Sequence, residues 1–401
     1  MTAQEPVMNG LSTEKEETTN DHIAEPVEPS ASPVPPIALT ASTPPTTDSP
    51  TLPLNPTVDG SINPVKTPFI HPTQTSKPTP HASLTPDQQT KYNSLLNKAQ
   101  FWSQLPSTTT PTSPTPPEKT PLTDSERMWL TRDCLLRYLR ASKWSEPLAA
   151  QRIQATLLWR REYGVESHTA EYISEENETG KQVVLGYDNE GRPCLYLNPH
   201  KQNTKGKEKQ IQHLVFMLER CIDLMPAGQE TLALLVNFKE SRKGDGASVG
   251  QGRETLSILQ NHYPERLGRA CVKDVPWVIW GFFKLITPFI DPLTKQKLKF
   301  DEDLRLLVPP EQLLKSYGGD VEFEYVHEVY WPALIGLAES RRKSMWERWE
   351  QGGKRVGESE AFLKGVGESV SVGDEKGKEK KLGVETPKLR RTASFQDDAK
   401  E

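Results

Sequence analysis

The sequence predicts an α/β protein with a helical N-terminal lobe and disordered ends. Of its 35 prolines, 23 lie in the first 121 residues, among threonine and serine. Such a segment cannot bury enough apolar surface to offset the entropy lost on ordering. Eight of the nine tryptophans fall between Trp129 and Trp349, so the core is expected there. Within this interval a helical period gives way, after residue 180, to strands that alternate with helices.

The N-terminal arm, residues 1–84, is predicted to be disordered, and a short helix and linker follow at 85–121. The helix is indicated by TPDQ at 85–88, which places Thr85 at the N-cap, proline at the first helical position and Gln88 at the third. Apolar residues then recur at helical spacing as far as Trp102. We expect a helix at about 86–103 that docks on the main domain.

Residues 122–170 are predicted to form the helical lobe. A second capping box joins Thr123 to Glu126, and apolar clusters follow at 135–139 and 153–158. The sequence REYG ends this helical pattern at Gly164.

Residues 171–330 are predicted to form the α/β domain, with a mostly parallel sheet. VVLGYD and CLYLN flank the turn NEGRP and indicate a hairpin. LALLVNF (232–238) is continuously apolar, as is typical of a buried parallel strand, and helices are expected at about 210–225 and 250–263. A C-terminal helix at 331–353 and a disordered tail at 354–401 complete the prediction.

Composition argues against several function classes. The net charge of −5 comes without a long basic stripe, so no nucleic-acid surface is indicated. The sequence contains no P-loop, HExxH or GxSxG, so we expect neither an enzyme nor a metal or cofactor. No signal peptide is recognisable, and the longest apolar run, 278–283, is far shorter than the ~20 residues that span a bilayer. The four cysteines are widely spaced and form no CxxC, which favours reduced thiols in the cytosol.

The stretch PWVIWGFFKLITPFIDPLTKQK (276–297) stands apart from this pattern. Its first half is apolar on nearly every face of a helix, whereas a surface helix keeps a polar side. Its second half ends in a cluster of lysines. The pattern alone leaves three interpretations open, which are a core helix, the wall of an internal apolar cavity, and a helix that contacts a membrane.

This stretch and the preceding YPERLGR (263–269) resemble the CRAL-TRIO lipid-binding domain. LLRYLRASKW (135–144), GRP (191–193) and SYGG (316–319) match the same family in the same order, so the resemblance covers about 125–330. Within the family the chain is similar to fungal phosphatidylinositol transfer proteins. Three features look like the subgroup linked to sterol handling and azole tolerance. They are the motif RASKW, the motif YWP at 330–332 and the proline-rich arm.

The resemblance implies a deep apolar pocket that is closed by a gate helix at about 277–287. The residues implied to form the gate and pocket are Leu232, Leu234, Trp277, Trp280, Phe282, Phe283, Ile286 and Phe289.

The resemblance also implies the headgroup contacts. Thr294 and Lys297 are three residues apart and would clamp the phosphate with a hydroxyl and an ammonium. Glu265 would pair with the cationic network. Of the family's Arg-Lys pair, Lys143 is kept, while Ser142 stands in place of the arginine.

The implied function is non-enzymatic transfer of phosphatidylinositol, with possible presentation of that lipid to a lipid kinase as a consequence. Leu232 and Leu234 stand where choline-lipid-binding members have Ser and Thr, so we expect exclusion of phosphatidylcholine and a sterol or other apolar second ligand. The protein is expected in the cytoplasm and peripherally on the endoplasmic reticulum, lipid droplets or plasma membrane. Two alternatives stay open: a sterol carrier, and a lipid-sensing interaction scaffold.

Two further surface features are candidates for regulation or docking. LRRTASF near the C-terminus makes Ser394 a candidate site for a basophilic kinase. In SRRKSMWERW (340–349), Arg341, Arg342 and Lys343 with Trp346 suggest contact with anionic membrane, and a helix face docked on the domain is the alternative.

Overall fold

A computed structural model describes residues 63–106, 118–242 and 248–370. The side chains of six residues between 278 and 293 lie outside this description, namely Val278, Ile279, Phe282, Phe283, Ile286 and Leu293.

The N-terminal lobe is built from four helices and a small antiparallel hairpin. The helices are α1 (Pro86–Gln100), α2 (Asp124–Trp129), α3 (Arg132–Ala141) and α4 (Glu146–Tyr163), and the hairpin strands are β1 (Gln104–Pro106) and β2 (Lys119–Pro121). Both predicted capping boxes are present, at Thr85 with Gln88 and at Thr123 with Glu126. Gly164 ends α4 in the left-handed region, with φ of 76°.

Helix α1 packs on α3 and α4 of the lobe, within the region where the sequence predicts the core. Leu95 and Ala99 are fully buried in a cluster with Leu135, Leu139 and Ile153. Each turn of α1 therefore places an apolar side chain against α3 and α4, and burial of these side chains fixes the helix there.

The domain contains a five-stranded sheet with helices along one face. Its strands are β3 (Gln182–Tyr187), β4 (Pro193–Leu197), β5 (Leu232–Asn237), β6 (Leu267–Lys273) and β7 (Leu298–Phe300), in the spatial order β3-β4-β5-β6-β7. The first pair is antiparallel and the other three pairs are parallel. The remaining helices are α5 (Ala170–Asn177), α6 (Lys207–Leu224), α7 (Val249–His262), α8 (Trp277–Ile286), α9 (Pro292–Lys297), α10 (His327–Gln351) and α11 (Glu360–Leu363).

Strand register shows which face of the sheet lies under α8. Val236, Val272 and Phe300 are paired across β5, β6 and β7, so their side chains share one face. The ring of Trp280 in α8 lies 4.7 Å from that of Phe300, which places α8 on this face. By strand alternation Leu232 and Leu234 point to the same side. The other face carries Tyr196, whose ring lies 4.8 Å from that of Tyr317.

The N-terminal arm is ordered from residue 63, so the predicted disorder of 1–84 is wrong for its last part. The Val65 amide donates to the Glu322 carbonyl at 2.7 Å, and the Val65 carbonyl accepts from Glu324 at 3.0 Å. The Lys77 amide donates to Asn189 at 3.2 Å. The domain supplies the hydrogen bonds that this proline-rich segment cannot make internally. Residues 1–62 lie outside the described part.

The C-terminal tail also contains an ordered part, which we call the strap (residues 354–370). Val356 is buried in the lobe core, and the Gly357 amide donates to the Leu130 carbonyl at 2.7 Å. Gly357 has φ of 88°, and a Cβ there would lie 2.3 Å from Leu96, so only glycine fits this approach. The predicted disorder of 354–401 is therefore wrong for the strap, and 371–401 lie outside the described residues.

Candidate functional site

Helix α8 presents large apolar side chains to solvent. Trp277 is 84% exposed and Leu285 is 59% exposed, and Phe289, just beyond the helix, is also largely exposed. Contiguous exposed apolar surface of this kind marks a site of interaction with a ligand, a protein or a membrane. The segment is thus not an ordinary core helix.

The end of this helical segment is fastened to α7. The guanidinium carbon of Arg253 lies 4.2 Å from the ring centroid of Phe289, and the Gln260 side-chain amide donates to the Phe289 carbonyl at 2.9 Å. Toward its start, Trp280 rests on Phe300 of the sheet. The helix therefore has contacts to the domain at both ends.

The sheet beneath α8 is apolar where the two leucines of β5 lie. Leu232 is buried, and Leu234 is partly buried against the main core cluster. The side chains of Phe282, Phe283 and Ile286 lie outside the described part, so the interior of the predicted pocket stays a prediction.

Lys297, at the end of α9, is half-buried and has a single hydrogen-bond partner among the described residues. Its Nζ donates to the Leu267 carbonyl at 2.6 Å, and no described carboxylate lies within ion-pair distance. Burial lowers the pKa of Lys297, while the negative charges of Glu265 and Asp291 oppose that shift. An ammonium has three N–H donors, so two remain for a ligand.

Thr294 lies one turn before Lys297 on the same short helix. Asp291 caps α9 and accepts the Thr294 amide at 2.9 Å. This cap leaves the hydroxyl of Thr294 without a hydrogen bond to any described residue, and the side chain is half-buried. Residues three apart in a helix share a face, so Thr294 and Lys297 can contact one anion together.

Glu265 connects the region around Thr294 and Lys297, called the α9 corner below, to the lobe. It adopts φ of 58°, a left-handed conformation that is uncommon outside glycine, asparagine and aspartate. Its carboxylate accepts from Arg140 Nε at 2.5 Å. The partner expected from the resemblance was a cationic network, and the structure places Arg140 in that position.

Lys143 lies at the same end of α3 but is exposed, and its side chain makes no ion pair with a described residue. Arg140, one turn earlier, is the side chain that crosses to Glu265. Arg140 was not predicted, because the family's Arg-Lys pair falls at positions 142 and 143. The spacing of Arg137 and Arg140 in LLRYLR, three residues apart on one helix face, is the signal that points to them.

Glu230 links the two arginines immediately before β5. Its Oε2 accepts from Arg137 at 2.8 Å and from Arg140 at 3.0 Å, and its Oε1 lies 2.9 Å from His81 of the N-terminal arm. Burial alone would raise the pKa of Glu230, but the charges of Arg137 and Arg140 lower it below its usual range. A buried, ionised carboxylate thus holds both arginines in place.

Arg192 of the GRP motif lies near the α9 corner and affects Lys297 through its charge. Arg192 donates to Asp188 at 3.0 Å and to the Thr231 hydroxyl at 2.8 Å. A Cβ at Gly268 would lie 2.2 Å from Arg192 Nε, so the guanidinium packs directly on the backbone of β6. Its positive charge also contributes to the lowered pKa of Lys297.

In the basic segment at 340–349, Arg341 and Arg342 are docked on the domain while Lys343 is exposed, so contact with a membrane stays a prediction. Arg341 donates to the Leu224 carbonyl at 3.1 Å, and Arg342 donates to Asp223 at 2.9 Å. The ring of Trp346 lies 5.4 Å from that of Trp349, which is buried. These side chains are used within the protein. The predicted phosphorylation site, Ser394, lies outside the described residues.

No helix in the part of the chain that the structure describes combines the length and apolar character needed to cross a membrane.

Two regions of the chain match known domain families. Residues 177–319 match the CRAL/TRIO domain, and residues 92–155 match the CRAL/TRIO N-terminal domain. The phosphatidylinositol transfer protein PDR17 of Saccharomyces cerevisiae is 40% identical over 257 residues, which cover 61% of this chain and 73% of that protein. The chain belongs to the CRAL-TRIO family.

Other relatives match the chain over different shares of their length. A CRAL-TRIO domain-containing protein of Schizosaccharomyces pombe is 52% identical over 73% of this chain, but the match spans only 28% of that protein. The SEC14 cytosolic factor of Kluyveromyces lactis is 29% identical over 47% of this chain and 70% of its own length. The family resemblance inferred from the sequence motifs is thereby confirmed.

Proposed function

We propose that the protein binds phosphatidylinositol and transfers it between membranes. The observation that carries the proposal is Lys297, whose half-buried ammonium has donors to spare beside an exposed apolar helix. One relative of which this chain covers most of the length is named as a phosphatidylinositol transfer protein. The lipid phosphate would bind the ammonium of Lys297, and the acyl chains would contact the apolar residues under α8.

The apolar helix accounts for the transfer step. A diacyl lipid exposes some thirty CH₂ groups, and at ~0.8 kcal/mol each their transfer through water costs on the order of 25 kcal/mol. A carrier must surround these groups with apolar side chains. Exposed Trp277 and Leu285 would contact the bilayer while α8 moves aside, and the opposite side of the helix would then cover the bound chains.

We assign the headgroup to four residues. Lys297 and the hydroxyl of Thr294 would bind the phosphate, since they share one face of α9. Glu265 would orient Arg140 and offset the positive charge near Lys297. Lys143, which is exposed at the end of α3, would reach the inositol ring or the phosphate from the lobe side.

In this proposal, two leucines of β5 determine which lipid headgroups are accepted. Leu232 and Leu234 lack hydroxyls, and a buried phosphocholine left without donors is costly, so phosphatidylcholine would be excluded. The same apolar wall suits a sterol as the second ligand. Exchange would take place on cytoplasmic membrane surfaces, and presentation of phosphatidylinositol to a lipid kinase would be the downstream consequence.

The test is identification of the lipid that co-purifies with the full-length protein from a host that contains phosphatidylinositol and sterol. Native mass spectrometry should show a one-to-one complex with phosphatidylinositol and no phosphatidylcholine. Lys297→Met should lose this lipid, because the phosphate is left without its ammonium. Lys299→Met is the matched control, since Lys299 is exposed on β7 and is 3.8 Å from Glu302.

Each other outcome has a defined meaning. Equal phosphatidylinositol in wild type and Lys297→Met would overturn the headgroup assignment, and bound phosphatidylcholine would overturn the selectivity. Sterol as the sole ligand would favour a sterol carrier. A protein empty of lipid would favour an interaction scaffold.

A further inference from the structure

A cavity of about 400 Å³ lies between the lobe and the domain. Its walls come from α2, α3 and α4 on one side, from α6 and the end of α7 on another, and from α10 and the strap. None of the lining residues belongs to α8 or α9, so this inter-lobe cavity is separate from the site proposed above. Its volume falls at the lower end of the range for small-molecule sites.

The lining of the inter-lobe cavity contains one more cationic side chain than carboxylates. Its lining includes five cationic side chains and four carboxylates, which are Arg137, Arg160, Arg266, Arg342, Lys364, Glu166, Glu219, Asp223 and Glu360. Three of the carboxylates have close arginine partners: Glu219 at 2.7 Å from Arg160, Asp223 at 2.9 Å from Arg342, and Glu360 at 2.7 Å from Arg137. The two cations that remain are Arg266 and Lys364.

Of these two cations, Lys364 has fewer hydrogen-bond partners. Its side chain is only 9% exposed, and its Nζ is buried without a hydrogen-bond partner. The nearest carboxylate oxygen, on Glu360, is 3.9 Å away. Burial lowers the pKa of Lys364 to about 8, although the charge of Glu360 opposes this shift.

Arg266 is also buried and incompletely paired. One nitrogen donates to the Glu230 carbonyl at 3.0 Å, and another lies 3.9 Å from Glu360. A guanidinium has five N–H donors, so several remain for a ligand. Leaving charged donors unpaired in a protein interior is costly, and native proteins retain such groups chiefly at functional sites.

Much of the remaining wall is apolar, although Ser125, Thr131 and His262 add polar groups to it. The large apolar side chains are Met128, Trp129, Ile222, Met345, Trp346 and Leu363. Aromatic and methionine side chains suit a flexible aliphatic ligand, because sulfur and ring faces adapt to its shape. At about 30 Å³ for each water-sized group, the volume accommodates roughly a dozen non-hydrogen atoms.

We propose that the inter-lobe cavity binds an amphipathic monoanion, namely a medium-chain fatty-acid carboxylate, with Lys364 and Arg266 on the carboxylate and the aliphatic chain against the apolar wall. Glu360, Leu363 and Lys364 belong to the strap, so the ligand would also hold the strap against the lobe. The chain thus has a second ligand class and a second site, which do not depend on the transfer function.

The test is a calorimetric titration of the full-length protein, loaded beforehand with phosphatidylinositol, with decanoate and with the uncharged decanol. Decanoate should bind with one-to-one stoichiometry, and decanol at least about tenfold more weakly, because a charge-assisted contact is lost. Lys364→Met should weaken decanoate binding by a similar factor. Lys364→Arg should restore most of it, and Lys299→Met, which changes an exposed lysine on β7, should leave it unchanged.

Lys364→Met should remain folded, because it removes a buried ammonium and leaves Glu360 paired with Arg137. Its Tm should not fall below that of the wild type. Equal affinity for decanoate and decanol, or equal decanoate affinity in wild type and Lys364→Met, would overturn the proposal. Loss of binding in Lys299→Met would show a nonspecific effect of charge and would overturn it as well.

Discussion

Glu265 combines an unfavourable backbone with a charged contact. A residue other than glycine in the left-handed region costs about 1–2 kcal/mol, and Glu265 has φ of 58° there. The conformation aims its carboxylate at Arg140, across 125 positions of sequence. Strain held at a site of this kind is a reason to expect a function for the residue.

Substitution of Glu265 should therefore separate stability from lipid binding. Asparagine tolerates positive φ, and a partly exposed ion pair contributes at most about 1 kcal/mol. Glu265→Asn should lower the free energy of unfolding by no more than that amount. Phosphatidylinositol transfer should fall about tenfold because Arg140 loses one of its two carboxylate partners and keeps only Glu230, as measured by transfer between vesicles.

The control for that experiment is Glu302→Gln, which removes an exposed carboxylate just after β7. An equal loss of transfer in Glu302→Gln would show that net charge, and not the Arg140 contact, governs the rate. A normal rate in Glu265→Asn would remove Glu265 from the site.

At this scale the sequence motifs predicted Thr294, Lys297 and Glu265 as candidate site residues, and the structure brings them to one corner. Arg140 and Glu230 were not predicted. Glu230 precedes β5 and joins two arginines some 90 residues earlier, and no local pattern indicates such a pairing. Such contacts depend on how the lobe docks on the α/β domain. The hydrophobic periodicity of the sequence predicts helices and strands but not their docking.

At the scale of elements, α8 is the helix with the most exposed apolar surface in the site. Most of the other predicted helices and strands lie within a few residues of their expected bounds, because hydrophobic period and capping residues define them locally. Segment 63–84 and the strap were missed because their order comes from contacts to the domain and the lobe and not from their own sequence. Composition indicates disorder only where no such partner surface is available.

Charged substitutions on the exposed side of α8 should impair membrane contact without unfolding the protein. Trp277→Glu removes an apolar side chain that contributes about 1.5–3 kcal/mol when buried, so binding to phosphatidylinositol-containing vesicles should weaken at least about tenfold. Leu285→Glu should act in the same direction. Co-sedimentation with vesicles measures both effects.

Leu306→Glu is the matched control, because Leu306 is 75% exposed but lies outside α8. Wild-type vesicle binding by Trp277→Glu and Leu285→Glu would show that α8 is not the membrane-contacting element. A loss in Leu306→Glu of the same size would indicate a nonspecific effect of charge.

At the scale of the whole molecule, the lobe and the domain meet at a titratable contact. His262, at the end of α7, stacks on Trp159 of α4 with ring centroids 4.1 Å apart. Burial, together with the charges of Arg152 and Arg160, lowers the pKa of His262 to about 4. Between about pH 6.5 and pH 4 the unfolded chain therefore binds a proton at this position that the folded protein does not.

The free energy of unfolding should consequently fall as the pH drops from 6.5 to 4. The contribution of His262 should be at most about 2 kcal/mol after allowance for its partial exposure to solvent. His262→Phe keeps the stack on Trp159 and should flatten the pH dependence in this window, as measured by urea unfolding at several pH values. An unchanged slope in His262→Phe would contradict the assignment.

The two ordered terminal segments cross to opposite halves of the fold. Residues 63–84 lie on the α/β domain, which follows them in the chain, while the strap returns to the lobe that precedes it. Each half is therefore completed by a segment encoded beyond the other half. A fragment cut at the borders of the two matched regions, 92–155 and 177–319, would contain neither segment and would leave their binding surfaces bare. The smallest complete folding unit of this chain therefore includes residues 63–84 and the strap. It is longer than the part that matches the family.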